Sequence, residues 1–254
     1  MELVFVALAA LLAGFIDAIV GGGGLVSLPA LFTAYPQAPA ATVLGTNKGM
    51  AVWGTAWAAG QFARRVRLPW RRLGLAMGVA LAASSLGAWA VTHVSSALLR
   101  QALPWVLGVL LIYTLANKHL GRTHAPRWAP RQETAWLALI AALVGFYDGF
   151  FGPGTGSLFV FAMVRLLGWD FLHASAGAKL LNSATNVAAL ALFTSQGHVW
   201  WQVAAVLAVA NVVGSLLGTR LALARGAGFV RIVFLLVVSA LIARSAWQAI
   251  HFHP

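Results

Sequence analysis

Cysteine is missing from this chain and acid is nearly so: its 254 residues hold no Cys and only five Asp and Glu. Without thiols there is no disulfide, no thiolate metal site and no cysteine relay. Charged residues of both signs amount to 9%, where a soluble domain carries about a quarter. That little charge cannot cover a water-soluble body of this length, and no polar stretch is long enough for a soluble domain at either end. What fills the sequence is apolar: 61% of residues are hydrophobic and the mean hydropathy is +0.84. Apolar segments of roughly 20 residues recur from end to end, the mark of a polytopic all-α membrane protein. The first of them, Leu3 to Val20, has neither a basic start nor a small-residue cleavage site and is expected to be a retained helix, not a signal peptide.

The formal net charge of +12 does not signal a nucleic-acid partner, because the arginines stand in short loops between apolar runs. The seven histidines, at 93, 119, 124, 173, 198, 251 and 253, are scattered and make no metal cluster. The eleven tryptophans suit interfacial belts and packing. The glycine runs lack the Gly-Lys-Ser/Thr of a nucleotide loop and no strand precedes them. No cofactor or metal is therefore expected. Within the spans there is no nucleophile with a base beside it, so an enzyme is not expected either.

Two glycine-rich breaks organise the chain. Gly14-Phe15-Ile16-Asp17-Ala18-Ile19-Val20 runs into Gly21-Gly22-Gly23-Gly24. After 131 residues, Gly145-Phe146-Tyr147-Asp148-Gly149-Phe150-Phe151 runs into Gly152-Pro153-Gly154-Thr155-Gly156. An apolar helix that stops inside hydrophobic sequence frees backbone N–H and C=O groups, which lipid cannot satisfy and a protein interior or wet cavity can. Glycine-interrupted segments at matching positions of two halves point to a transporter's binding site. The same offset also pairs Lys48 with Lys179, Phe62 with Phe193, Trp70 with Trp201 and Arg100 with Arg231. Matches among rare residue types carry the weight, and they indicate duplication.

Each half parses alike: an apolar helix (about 3–20 and 134–151), a break, a short segment (25–34 and 155–167), then long helices. Those are expected at 39–62, 71–92 and 97–116, and at 173–195, 200–222 and 228–250. Domains follow as a first transmembrane repeat over 1–116, a basic cytoplasmic linker over 117–133 and a second repeat over 134–254. Arg64, Arg65, Arg67, Arg71 and Arg72 place the 63–72 loop in the cytoplasm. Its counterpart, Ser195 to Trp200, carries no Lys or Arg and reads as outside. Lys118, Arg122, Arg127 and Arg131 place the linker inside, and Arg225 and Arg231 do the same for the loop they share. These assignments agree if each broken segment is a re-entrant hairpin followed by three full crossings. The fold class is then two inverted repeats, with both termini outside.

Ionisable groups inside spans are functional candidates. Lys48 lies about nine residues into its helix, roughly 13 Å at 1.5 Å per residue, and Lys179 lies at the matching depth from the opposite side. Converging lysines would make an anion site, with Thr46, Asn47, Asn182 and Asn186 beside them; Lys179, Asn182 and Asn186 share a helix face. Thr55 is the counterpart of Asn186. Backbone N–H groups of Gly23, Gly24, Gly154, Thr155 and Gly156, at the starts of the short helices, would favour an anion by charge and hydrogen bonding. The plainer alternative has the lysines snorkelling or pairing with Asp17 and Asp148. The two aspartates would cap loop amides, hold a lysine or carry a proton. Asn211 reads as an interhelical hydrogen bond.

With those residues in view, the chain resembles the TauE/SafE (TSUP) sulfite exporter family. The resemblance rests on Gly14-Phe15-Ile16-Asp17, Gly21 to Gly24, Pro29 and Thr46-Asn47-Lys48 in one half. In the other it rests on Gly145 to Gly156, Lys179 to Asn182 and Thr185-Asn186. Ala178-Lys179 departs from the Asn47-Lys48 of the first half. The resemblance implies a bacterial inner-membrane permease exporting small sulfur-containing anions such as sulfite or organosulfonates, with lipid and substrate as partners and homo-oligomerisation left open. The residues themselves reach an anion pocket, not sulfur. They also leave room for a cation or proton carrier using Asp17 and Asp148, and for an anion channel.

Overall fold

The structure, a computed structural model, describes residues 2–99, 101, 102, 105 and 125–251. The helix expected over 97–116 falls mostly outside those residues, as do Lys118 and Arg122. Among the described residues the chain is helical, with no strand. We number the helices α1 (Glu2–Val20), α2 (Gly24–Ala34), α3 (Ala40–Arg65), α4 (Trp70–Thr92), α5 (Pro130–Phe150), α6 (Thr155–Ala162), α7 (Phe171–Ser195) and α8 (Trp201–His251).

Boundaries differ from the expected ones where local chemistry decides. Helix α5 begins at Pro130, inside the segment read as linker, because proline is already set for the first helical position and lacks only an N–H the helix would not use. The segment expected as one helix over 155–167 loosens into a π turn, Met163–Leu167, which ends at left-handed Gly168. Helix α8 breaks at Gly226, whose φ of 70° no helical residue adopts.

Among the described residues four helices, α1, α4, α5 and the Trp201–Gly226 part of α8, are long and apolar enough to cross a bilayer. Their outward faces carry Leu8, Leu12, Leu86, Leu143, Val209 and Leu217, all exposed, while Lys48, Asp148 and Lys179 are buried. That inside-out distribution is stable only where the solvent is hydrocarbon. Helices α1 and α5, read from sequence as arms of re-entrant hairpins, have 19 and 21 residues, which is spanning length at about 1.5 Å per residue.

Packing is crosswise between the halves: α1 lies on α8, α4 on α5, and the two polar helices α3 and α7 lie on each other at the centre. Glycine lets the outer pairs approach closely, the usual basis of helix association in lipid. A Cβ on Gly149 of α5 would fall 1.9 Å from Ser84 O of α4, and one on Gly214 of α8 would fall 1.9 Å from Leu11 O of α1. Asn211 adds the expected interhelical bond, donating from Nδ2 to Ala10 O at 3.2 Å.

The helix ends sort into two faces of the body. On one, Arg72 pairs with Glu133, and Arg127 Nη1 donates to Arg165 O at 2.9 Å. On the other, Ala40 N donates to Ser96 Oγ at 3.0 Å, and Tyr35 packs edge-on against Trp200 at 5.2 Å. Basic residues thus gather at one end and aromatic and hydroxyl residues at the other.

Candidate functional site

The two glycine breaks meet in the middle of the body. Helix α1 stops because Gly21 turns to φ 80°; its N–H still reaches Asp17 O at 2.8 Å. Helix α5 stops the same way at Gly152, φ 89°, and Tyr147 Oη holds the loop by donating to Pro153 O at 2.6 Å. The breaks are then joined: Ser157 N donates to Gly21 O at 2.8 Å and Ser157 Oγ to Val20 O at 3.1 Å. Gly21 and Gly156 touch backbone to backbone, so close that a Cβ on Gly21 would lie 2.4 Å from the Gly156 carbonyl carbon.

Helices α3 and α7 bring the polar side chains to this crossing. Asp170 starts α7 by accepting from Leu172 N at 2.8 Å and His173 N at 2.9 Å, which leaves the helix free to carry Lys179, Asn182 and Asn186 inward. Both lysines are buried, and each meets the aspartate of the other half. Lys48 Nζ lies 2.6 Å from Asp148 Oδ2, and Lys179 Nζ lies 3.5 Å from Asp17 Oδ2. Lys179 also donates to the Asp17 backbone carbonyl. These pairs correspond under the repeat offset, Lys48 to Lys179 and Asp148 to Asp17. The pairing alternative raised by the sequence is thus present in the structure, and the four charges cancel.

A polar chain links the two pairs. Lys48 donates to Asn186 Oδ1 at 3.0 Å, Asn186 Nδ2 to Thr55 Oγ1 at 3.4 Å, and Thr55 Oγ1 stands 3.5 Å from Asp17 Oδ2. Asp17 also accepts from Gly23 N at 3.4 Å, so one carboxylate serves as loop cap and counter-ion together.

The breaks and these side chains enclose a cavity of about 30 Å³, room for two or three water-sized groups at roughly 10–15 Å³ each. Of the residues expected from sequence, Asn47, Lys48, Asn182, Asn186, Gly23, Gly24, Gly154, Thr155, Gly156, Asp17 and Asp148 all line it. Two do not. Thr46 faces away and accepts from Trp200 N at 3.1 Å, and Lys179 sits behind Asp17. Asn182 is 5% exposed, and its carboxamide has no hydrogen-bond partner among the described residues.

Ser27 is a cavity residue the sequence did not flag; it donates to Asn47 Oδ1 at 2.6 Å. Its signal was its place one turn after Gly23, whose carbonyl lies 3.2 Å from the hydroxyl. No group of three His, Asp or Glu among the described residues is placed to hold a metal. Chemically, the cavity offers the buried Lys48 ammonium, carboxamides and break N–H groups to a small polar solute, and two carboxylates that any anion must displace.

Comparison with known proteins agrees with the transport reading at family level. The family model described as sulfite exporter TauE/SafE matches residues 6–245. The chain is 40% identical over 243 residues to the probable membrane transporter protein YfcA of Escherichia coli (strain K12), covering 94% of this chain and 88% of that protein. It is 33% identical over 244 residues to a probable membrane transporter protein of Haemophilus influenzae, with 95% and 93% covered. Against the probable membrane transporter protein ORF9 of Sinorhizobium sp it is 36% identical over 244 residues, with 95% and 91% covered. No solved structure matches the chain significantly.

Proposed function

The chain belongs to the TauE/SafE sulfite exporter family, and from that premise we propose that it moves a small sulfur-containing anion, sulfite or an organosulfonate, across the bacterial inner membrane. Transport runs by alternating access around the central cavity, and export is the direction the family description favours. The observation that carries this reading is the crossed pairing of Lys48 with Asp148 and Lys179 with Asp17 around one polar cavity. A buried ammonium is costly without a counter-charge. A bound anion can take the carboxylate's place, and the displaced aspartate then becomes neutral by accepting a proton. Anion and proton entering together leave the cavity's charge unchanged.

In this mechanism Lys48 attracts the anion, Asn47, Asn182 and Asn186 hold its oxygens, and the N–H groups at the starts of α2 and α6 complete the shell. Lys179 acts from behind, through Asp17. The small cavity suits sulfite better than a long-chain organic acid. Crosswise packing of α1 on α8 and α4 on α5, and the correspondence of the two ion pairs, support inverted repeats that rock about the joined breaks.

The test is binding of sulfite, sulfoacetate, thiosulfate, sulfate and lactate to the purified protein, beside Lys48→Ala and Lys179→Ala. Saturable binding of one sulfur anion, lost in Lys48→Ala, is the expected result. Equal weak binding of all five by wild type and both variants would sink the anion site.

A second reading is favoured by the neutrality of the resting pairs: the protein carries a proton or another cation on Asp17 and Asp148, with the lysines as counter-ions. Under it, Asp17→Asn with Asp148→Asn abolishes transport, while neutralising Lys48 and Lys179 need not.

A further inference from the structure

Away from the central cavity, α3 and α8 run side by side in the same direction. Gly49 faces Ala204, Gly54 faces Asn211, and Ser215 Oγ donates to Gly54 O at 2.6 Å. Past these contacts, at the basic end, the helices part. A cleft of about 190 Å³ opens there, lined by Trp57, Gln61 and Arg65 of α3 and by Thr219, Arg220 and Leu223 of α8. The spacing of four puts the α3 set on one face, and on α8 Leu223 stands one turn after both Thr219 and Arg220.

Arg65 and Arg220 are both exposed, and neither meets a carboxylate among the described residues. The reason is supply. Four of the five acidic residues are engaged elsewhere: Asp17 and Asp148 with the lysines, Glu133 with Arg72, Asp170 with His173. The fifth, Glu2, starts α1, and it is the far end of α1, at Phe15, that packs level with Gly218 of α8. Thr219 adds a buried hydroxyl in the cleft wall that has no hydrogen-bond partner among the described residues. Toward the bilayer middle the cleft ends at Trp57, 46% exposed, and Trp53, one turn beyond it on α3, is 59% exposed.

We propose that this cleft binds the phosphate headgroup of an anionic phospholipid in the leaflet at the basic end. Two guanidinium forks suit phosphodiester oxygens, and a basic pocket between membrane helices is where such headgroups lodge. One acyl chain lies along Trp57 and Trp53. The other half offers no equivalent, because the counterparts of Arg65 and Arg220 are Gln196 and Trp89. The lipid therefore binds once per chain and from one leaflet, whatever the central cavity carries.

Native mass spectrometry of the full-length protein with equimolar phosphatidylglycerol and phosphatidylcholine tests this, beside Arg65→Gln/Arg220→Gln and the neighbouring control Arg64→Gln. Wild type and the control should retain phosphatidylglycerol in preference, and the double variant should lose about tenfold in that preference. Inorganic phosphate or glycerol phosphate at millimolar concentration should not displace the lipid. Equal retention of the two lipids by wild type overturns the proposal without reference to any variant. So does undiminished preference in the double variant, and so does displacement by soluble phosphate, which would assign the cleft to a free phosphate compound.

Discussion

A buried lysine whose charge is balanced by a carboxylate across the molecule makes stability and function separable by mutation. Lys48→Ala leaves Asp148 buried without its partner and should cost about 3–5 kcal/mol, read as a fall in the melting temperature of detergent-solubilised protein. Lys48→Ala with Asp148→Ala removes both charges and should recover most of that loss while transport stays absent. Recovery of transport in the double variant would make the pair structural. Asn182 should behave in the opposite way. Its carboxamide bonds nothing in the described structure, so Asn182→Leu should leave melting unchanged and weaken anion binding about tenfold, close to one hydrogen bond of about 1.4 kcal/mol. At this scale the sequence was informative because ionisable and carboxamide residues are rare in it, and most of those singled out line one cavity. It could not tell which way they face: Thr46 and Asn47 are adjacent, and 100° of helix turn sends one to Trp200 and the other to Ser27.

At the scale of the helices, close approach is the organising demand. Gly149→Ala should push α4 and α5 apart, because its Cβ would meet Ser84 O at 1.9 Å; a loss of about 1–3 kcal/mol in thermal stability is expected. Gly60→Ala meets nothing within 4 Å and should be neutral or gain up to about 1 kcal/mol. Hydropathy and glycine breaks made most elements readable in advance, including the short helices after each break. The π turn at Met163–Leu167 was not readable, since it keeps a helical pattern of apolar residues and differs only in hydrogen-bond register. Likewise α3 and α7 fall short of the four clearly apolar spans. Their polar residues Asn47, Lys48, Lys179, Asn182 and Asn186 are tolerated because they are buried among the other helices and not in lipid.

For the whole molecule, the repeat offset was visible because it preserved rare residues, but the sequence did not reveal that each half completes the other's ion pair. That needs the fold, since the lysine and the aspartate of one pair are far apart in the chain. Orientation can be checked directly because the chain has no Cys. Arg67→Cys and Gln196→Cys, both at exposed positions, should react with a membrane-impermeant maleimide from opposite sides of the membrane, Gln196→Cys from outside. Labelling of both from one side would rule out the proposed topology.

The crossed pairs also impose an order on biogenesis. Lys48 leaves the ribosome 100 residues ahead of Asp148, and a lone lysine near the centre of a helix costs about 2.5–3.5 kcal/mol to insert. Helix α3 should therefore be poorly retained by lipid until α5 has followed it. A nascent chain arrested before Asp148 should release α3 to alkaline extraction more readily than one arrested after Phe151. On this expectation, stable insertion of the first half waits for the second.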